Sequence, residues 1–189
     1  MMSALPKVLH RAHGLPLIEH VFRAAGALKP ASVVVIVGHQ ADAVRDSLGT
    51  RPGLHYAVQE PQLGTGHALL QAETALTGAR GTVLLLSGDV PLLRTSTLQA
   101  LIAVHEERKA AATVLTAVLD DATGYGRIVR ENGKIVAIVE HKDATPAQRE
   151  IQEMNSGIYA FDLAPLFGAL REIGSALSLI HISEPTRRS

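Results

Sequence analysis

With 189 residues, the chain is long enough for one ordinary α/β domain with a sizeable core and short for two. Its 18 Lys plus Arg balance 18 Asp plus Glu, so no overall field draws in nucleic acid or an anionic membrane, and any phosphate site must be local. The absence of Cys excludes disulfides, thiolate metal sites and cysteine nucleophiles and fits a reducing, cytoplasmic setting. Apolar runs such as 33–37 fall far short of the roughly 20 residues that span a bilayer, and Lys7, His10, Arg11 and His13 interrupt anything like a signal peptide's apolar region.

Short apolar runs alternate with stretches of helical period, the pattern of βαβ units around a mostly parallel sheet. The chain opens in a loop over 1–7, with no strand expected before the first helix. Leu17, Ile18, Val21, Phe22, Ala25 and Leu28 share one face, which predicts a helix from Pro16 to Leu28. The β-branched, unalternating run 32–37 predicts a strand covered on both faces. A helix over 41–48, a strand over 55–59, a tight loop at Gly64-Thr65-Gly66 and a helix over 67–76 follow. Next come a strand over 82–87, an exit loop at Gly88-Asp89-Val90-Pro91, and a helix over 95–109. Thr95 is that helix's expected N-cap, with Leu98, Leu101, Ile102 and His105 facing inward. After a strand over 112–118 the pattern changes, because Asn132-Gly133 between the runs 127–130 and 135–140 is the strongest short hairpin signal. A polar loop over 141–150, a strand over 154–161 and a helix from Leu163 complete the reading.

Several common enzyme signatures are missing: there is no G-x-G-x-x-G after a strand, no G-x-x-x-x-G-K-[ST], no G-x-S-x-G and no H-E-x-x-H. His10 and His13 read as surface imidazoles rather than a metal pair, and His105 as a hydrogen-bonded core histidine. The run Gln59 to His67 joins a strand end to a helix start, a place for a polar or anionic ligand and equally for a plain tight turn. Asp89 follows a hydrophobic strand at the sheet's carboxyl edge, where a carboxylate can hold Mg²⁺ or merely shape a turn. Lys7 sits in a loop from which it could reach a phosphate or simply be solvated.

Five segments occur in an order that resembles one family: Leu5-Pro6-Lys7-Val8-Leu9-His10, Gln62-Leu63-Gly64-Thr65-Gly66-His67-Ala68, Gly88-Asp89-Val90-Pro91-Leu92, Thr123-Gly124-Tyr125-Gly126-Arg127-Ile128 and Val139-Glu140-His141-Lys142-Asp143-Ala144. That family is the bacterial bifunctional N-acetylglucosamine-1-phosphate uridyltransferase / glucosamine-1-phosphate N-acetyltransferase. Ile151-Gln152-Glu153-Met154-Asn155-Ser156-Gly157-Ile158 extends the likeness to about residue 175. The resemblance implies an α/β, Rossmann-like nucleotidyltransferase fold with an inserted hairpin. It implies a Mg²⁺-dependent reaction of UTP with N-acetylglucosamine 1-phosphate, giving UDP-N-acetylglucosamine for cell-wall precursors and pyrophosphate. It assigns Gln59, Gly64 and Thr65 to the uracil, Lys7 to the phosphates, Asp89 to the metal, Ser87 and Gly88 to the same pocket, and Gly126, Glu140 and Asn155 to the acetylated sugar.

The family's opening strand and Gly-rich phosphate loop, a later asparagine ligand, and the C-terminal β-helix with its trimer contacts have no counterpart in these residues. The expectation is therefore a partial uridyltransferase domain over 1–175 with weak or no activity of its own. Residues 176–189 form an expected non-native tail, since Leu177 to Arg187 resembles a translated sequencing-library adapter. Alternatives are a sister nucleotidyltransferase with another sugar phosphate, a non-catalytic nucleotide-sugar binding module, and a receiver domain with Asp89 as phosphoacceptor, which lacks the acidic cluster it needs.

Overall fold

The computed structural model describes residues 5–38 and 40–173 of the chain, so the expected tail at 176–189 lies outside them. A single helical turn, Lys7–Leu9, buries Leu9, and a small antiparallel hairpin follows: β1 (Arg11–Ala12) and β2 (Leu15–Pro16). This corrects the expectation of no strand before the first helix. The residues between them, His13 and Gly14, both take positive φ, as a two-residue hairpin turn demands.

The helix α1 (Leu17–Gly26) leads into β3 (Val33–Val37), α2 (Ala41–Leu48) and β4 (Leu54–Val58). β3 and β4 pair in parallel from Val33↔Leu54 to Val37↔Val58, and α2 packs Val44 and Leu48 against Val37 and Leu9. The helix α3 (Thr65–Leu70) is shorter than the one expected over 67–76, because the chain tightens through turns into a separate 3₁₀ turn at Thr74–Leu76.

The second half contains β5 (Thr82–Leu85), α4 (Thr95–Arg108), β6 (Ala112–Val118), β7 (Arg127–Glu131), β8 (Lys134–Val139), α5 (Pro146–Arg149), β9 (Glu153–Asp162) and α6 (Leu163–Ile173). Arg94, not Thr95, occupies the N-cap of α4. The Thr95 hydroxyl instead donates to the Ala24 carbonyl and ties α4 to α1. Leu98, Leu101 and His105 are buried as the spacing predicts. The polar loop 141–150 encloses α5, whose first turn is closed by reciprocal bonds between Thr145 and Gln148.

Among the described residues the strand pairing is mostly antiparallel, not mostly parallel as expected. Among the described residues one pairing is parallel, β3 with β4, and β5 to β9 make a five-stranded sheet in which β9 runs antiparallel to β5, β6 and β7. Short apolar runs report burial on both faces but not the direction of the neighbour. β5 and the residue after it show this: Val83 and Leu85 pack towards α6, while Leu84 and Leu86 pack towards α4.

β9 sets the position of the site. β6 lines one edge of β9 from Glu153 to Phe161, while β5 takes the other edge from Tyr159 to Asp162 and β7 meets that edge at Met154. Between β5 and β7 the stretch 155–158 is left without a strand partner on that edge. It opens, through Asn155, Ser156 and Gly157, onto a cavity of about 1250 Å³ that extends between β3 and β5.

Candidate active site

One wall of the cavity comes from the hairpin β7–β8 and the bend in β9. The Asn132-Gly133 turn joins β7 to β8 as expected. Gly126 precedes β7, and its carbonyl accepts from the Asn155 main-chain N–H at 2.9 Å. A Cβ on Gly126 would stand 3.3 Å from Glu140 Oε1, which would have to give by a few tenths of an ångström, and 3.6 Å from Asn155 Cβ, an ordinary contact. β6 and β9 lose register between Val114 and Thr116, opposite the place where Gly157 adopts φ +74. The bulge lies next to Asn155, which itself stays in register with Thr116. Its Oδ1 accepts from Gly157 N–H at 3.0 Å and its Nδ2 donates to Tyr159 Oη at 2.7 Å. Burial holds the Tyr159 phenol above its usual range, so it stays neutral.

Arg127 fixes the turn that carries Gly126. It is 2 % exposed, and its guanidinium donates to the carbonyls of Ala122, Tyr125 and Arg149. A buried cation satisfied by main-chain oxygens locks their geometry, because the cation itself needs those acceptors once it is out of water.

The opposite wall is the segment after β4. The Gln59 N–H donates to Val37 O at 2.8 Å and so extends the β3–β4 ladder by one bond. The Gln59 side-chain Nε2 lies 2.9 Å from Gly64 O and 3.1 Å from His67 Nδ1. Gly64 O also receives Ala68 N–H at 3.0 Å, and Thr65 begins α3.

At the rim, Lys7 Nζ lies 2.6 Å from Asp89 Oδ2, and this hydrogen bond raises the Lys7 ammonium above its ordinary value. Gly88 lies under Val8, with Ser87 beside Gly157. Asp89 is a single carboxylate, and no group of three metal-ligating side chains occurs among the described residues. That donor set fits a hard divalent cation that keeps waters and takes further oxygens from a substrate phosphate, rather than a cation caged by protein alone. The Lys7 ammonium against Asp89 shows that the position accommodates positive charge.

Gln59, Gly64, Thr65, Ser87, Gly88, Gly126, Glu140 and Asn155 all line this cavity, while Lys7 and Asp89 pair with each other beside Val8 and Gly88 at its edge. The residues that the resemblance assigns to the site thus fall in one neighbourhood. Sequence reasoning missed Arg127, Tyr159 and His67 as supports of that neighbourhood. For Tyr159 the signal was its position four residues after Asn155 on one strand. His105 Nδ1 pairs with Thr113 Oγ1 at 2.9 Å in the core, as its inward position suggests.

Comparison with known proteins places this geometry. A model of the MobA-like NTP transferase domain matches residues 1–159. The chain belongs to that family. It is 52% identical over 176 residues to the bifunctional protein GlmU of Exiguobacterium sp., covering 93% of this chain and 39% of that protein. It is 55% identical over 174 residues to the bifunctional protein GlmU of Brevibacillus brevis, covering 92% and 37%. The chain therefore spans about two-fifths of the length of these relatives, and the resemblance drawn from the motifs is borne out. Among solved structures, UDP-glucose pyrophosphorylase complexed with UDP-glucose aligns with TM-score 0.72 at 18% identity, covering 89% of this chain and 72% of that one. A putative glucose-1-phosphate thymidylyltransferase from Bacillus anthracis aligns with TM-score 0.71 at 22% identity, covering 88% and 66%. These two establish the nucleotidyltransferase fold, and among the described residues no helix is long and apolar enough to cross a membrane.

Proposed function

We propose that residues 1–175 are the nucleotidyl-transfer part of an enzyme that joins UTP to N-acetylglucosamine 1-phosphate, yielding UDP-N-acetylglucosamine and pyrophosphate. The observation that carries this reading is that a single cavity receives the Gln59–Thr65 loop from one side and Gly126, Glu140 and Asn155 from the other. The Lys7–Asp89 pair stands at its rim. A nucleotide base on the first wall and an acetylated sugar on the second leave the phosphates over the rim.

In that arrangement the sugar-phosphate oxygen attacks the α-phosphorus in line, the bond from that phosphorus to the bridging oxygen breaks, and pyrophosphate departs with the electron pair. Binding both substrates on facing walls supplies the alignment. Lys7 Nζ offsets the charge on the phosphate oxygens, and Asp89 is the residue that would hold Mg²⁺. When bound, that ion supplies electrostatic neutralisation of the crowded oxyanions. Glu140 Oε1 accepts from sugar hydroxyls, while the Asn155 amide can both donate and accept at the acetamido group.

Calorimetric titration of the chain with UDP-N-acetylglucosamine, with UDP-glucose as the comparison ligand, tests the reading. Saturable binding that favours the acetylated sugar about tenfold or more is expected. Equal affinity for both, or heat from neither on a folded sample, contradicts it.

A further inference from the structure

The network behind Gln59 bears on which base the cavity accepts, and this inference rests on the proposed placement of the nucleotide at the Gln59–Thr65 loop. A glutamine amide is a donor at one end and an acceptor at the other, so the direction it faces decides what it reads. Here the direction is fixed twice. Gly64 O can only accept, so the side-chain atom 2.9 Å from it must be the Gln59 NH₂. The second hydrogen of that NH₂ points to His67 Nδ1 at 3.1 Å.

His67 cannot serve both of its amide neighbours in the same way. Its Nε2 lies 3.3 Å from Gln71 Nε2, and that nitrogen already donates to His67 O at 3.1 Å. A neutral imidazole has one acceptor nitrogen. The Gln59 contact is the shorter, and taking Nδ1 as its acceptor puts the imidazole proton on Nε2. With both hydrogens of its NH₂ engaged, Gln59 can present only Oε1 to a ligand.

We infer that His67 is a positioning residue that locks the Gln59 amide with its carbonyl oxygen towards the base, and so makes the cavity selective for a pyrimidine carrying N3–H. Uracil donates that hydrogen to Oε1. Cytosine presents a lone pair at N3, which faces the oxygen as acceptor against acceptor. A residue that merely supported the loop would change affinity for both bases equally.

The test is titration of the full chain with UDP and with CDP, in the wild type, His67→Ala, His67→Asn, Gln59→Ala and the Gln59→Ala/His67→Ala double variant, each checked for folding by circular dichroism. The wild type is expected to prefer UDP about 10- to 100-fold. His67→Ala is expected to cut that preference about 3- to 10-fold, the worth of one neutral hydrogen bond. His67→Asn, whose Oδ1 can accept in place of Nδ1, restores most of it. In the Gln59→Ala background, His67→Ala changes the preference no further. An unchanged UDP/CDP ratio in His67→Ala, or the same drop in both backgrounds, overturns the inference while leaving the proposed reaction standing. Equal binding of UDP and CDP by the wild type instead removes the base from this loop and contradicts the underlying reading.

Discussion

The cavity wall proposed for the sugar is main chain held inside a sheet, whereas the wall proposed for the nucleotide is a loop held by a side-chain amide. On the first, Gly126 bonds Asn155 across strands, and the buried Arg127 guanidinium clamps the carbonyls of the preceding turn. On the second, Gln59 and His67 brace a partly exposed loop that joins β4 to α3. Under the proposed function, recognition on the sugar wall is therefore coupled to folding, while on the nucleotide wall the two can be separated. A loop with few buried contacts can be altered at little cost, and a sheet with a buried cation cannot.

The strongest way to break this contrast is a pair of substitutions. Arg127→Ala removes a donor from three carbonyls, two of them in the Gly126 turn, and is expected to lower the unfolding free energy by about 3–5 kcal/mol, read as a fall in urea midpoint. Gln59→Ala is expected to change stability by less than about 0.5 kcal/mol. Equal losses from the two would erase the distinction.

Asn155→Ala comes next. It deletes the bonds to Gly157 and Tyr159, and about 1–2 kcal/mol of stability should go with them. Because the proposed function sets the same side chain against the sugar, preference for UDP-N-acetylglucosamine over UDP-glucose should also collapse. Loss of stability with the preference intact would place the sugar elsewhere.

The smallest effect concerns acid. The Arg130 guanidinium beside Glu153 holds its carboxyl below the usual range, and Arg51 does the same to Glu19. A carboxyl depressed in the folded chain contributes stability that is complete above its unfolded value and lost as pH falls through the folded one. Both pairs are partly exposed, so each contributes less than about 1 kcal/mol. Glu153→Gln should flatten the decline in melting temperature below about pH 4.5, and an unchanged acid limb would mean that the pair adds nothing.

The legibility of the molecule follows the same division. α4 was legible because Leu98, Leu101 and His105 recur at helical spacing, and the β7–β8 turn because Asn132-Gly133 suits one geometry. The antiparallel course of β9 was not, since a strand covered on both faces looks the same whichever way its neighbour runs. That Asp89 and Asn155 lie in one neighbourhood was legible from motif order. Arg127 and His67 were not, because their partners are a carbonyl as distant as Arg149 and an amide on another element, and neither leaves a pattern in local spacing.

The central claim is that both walls serve one ligand. Amide chemical-shift mapping of the isotope-labelled chain during titration with UDP-N-acetylglucosamine tests it most directly. The account predicts shifts at Gly64–Gly66 and at Gly126, Asn155 and Gly157 that saturate together at one ligand concentration. Shifts confined to one wall, or two walls saturating at different concentrations, would contradict it.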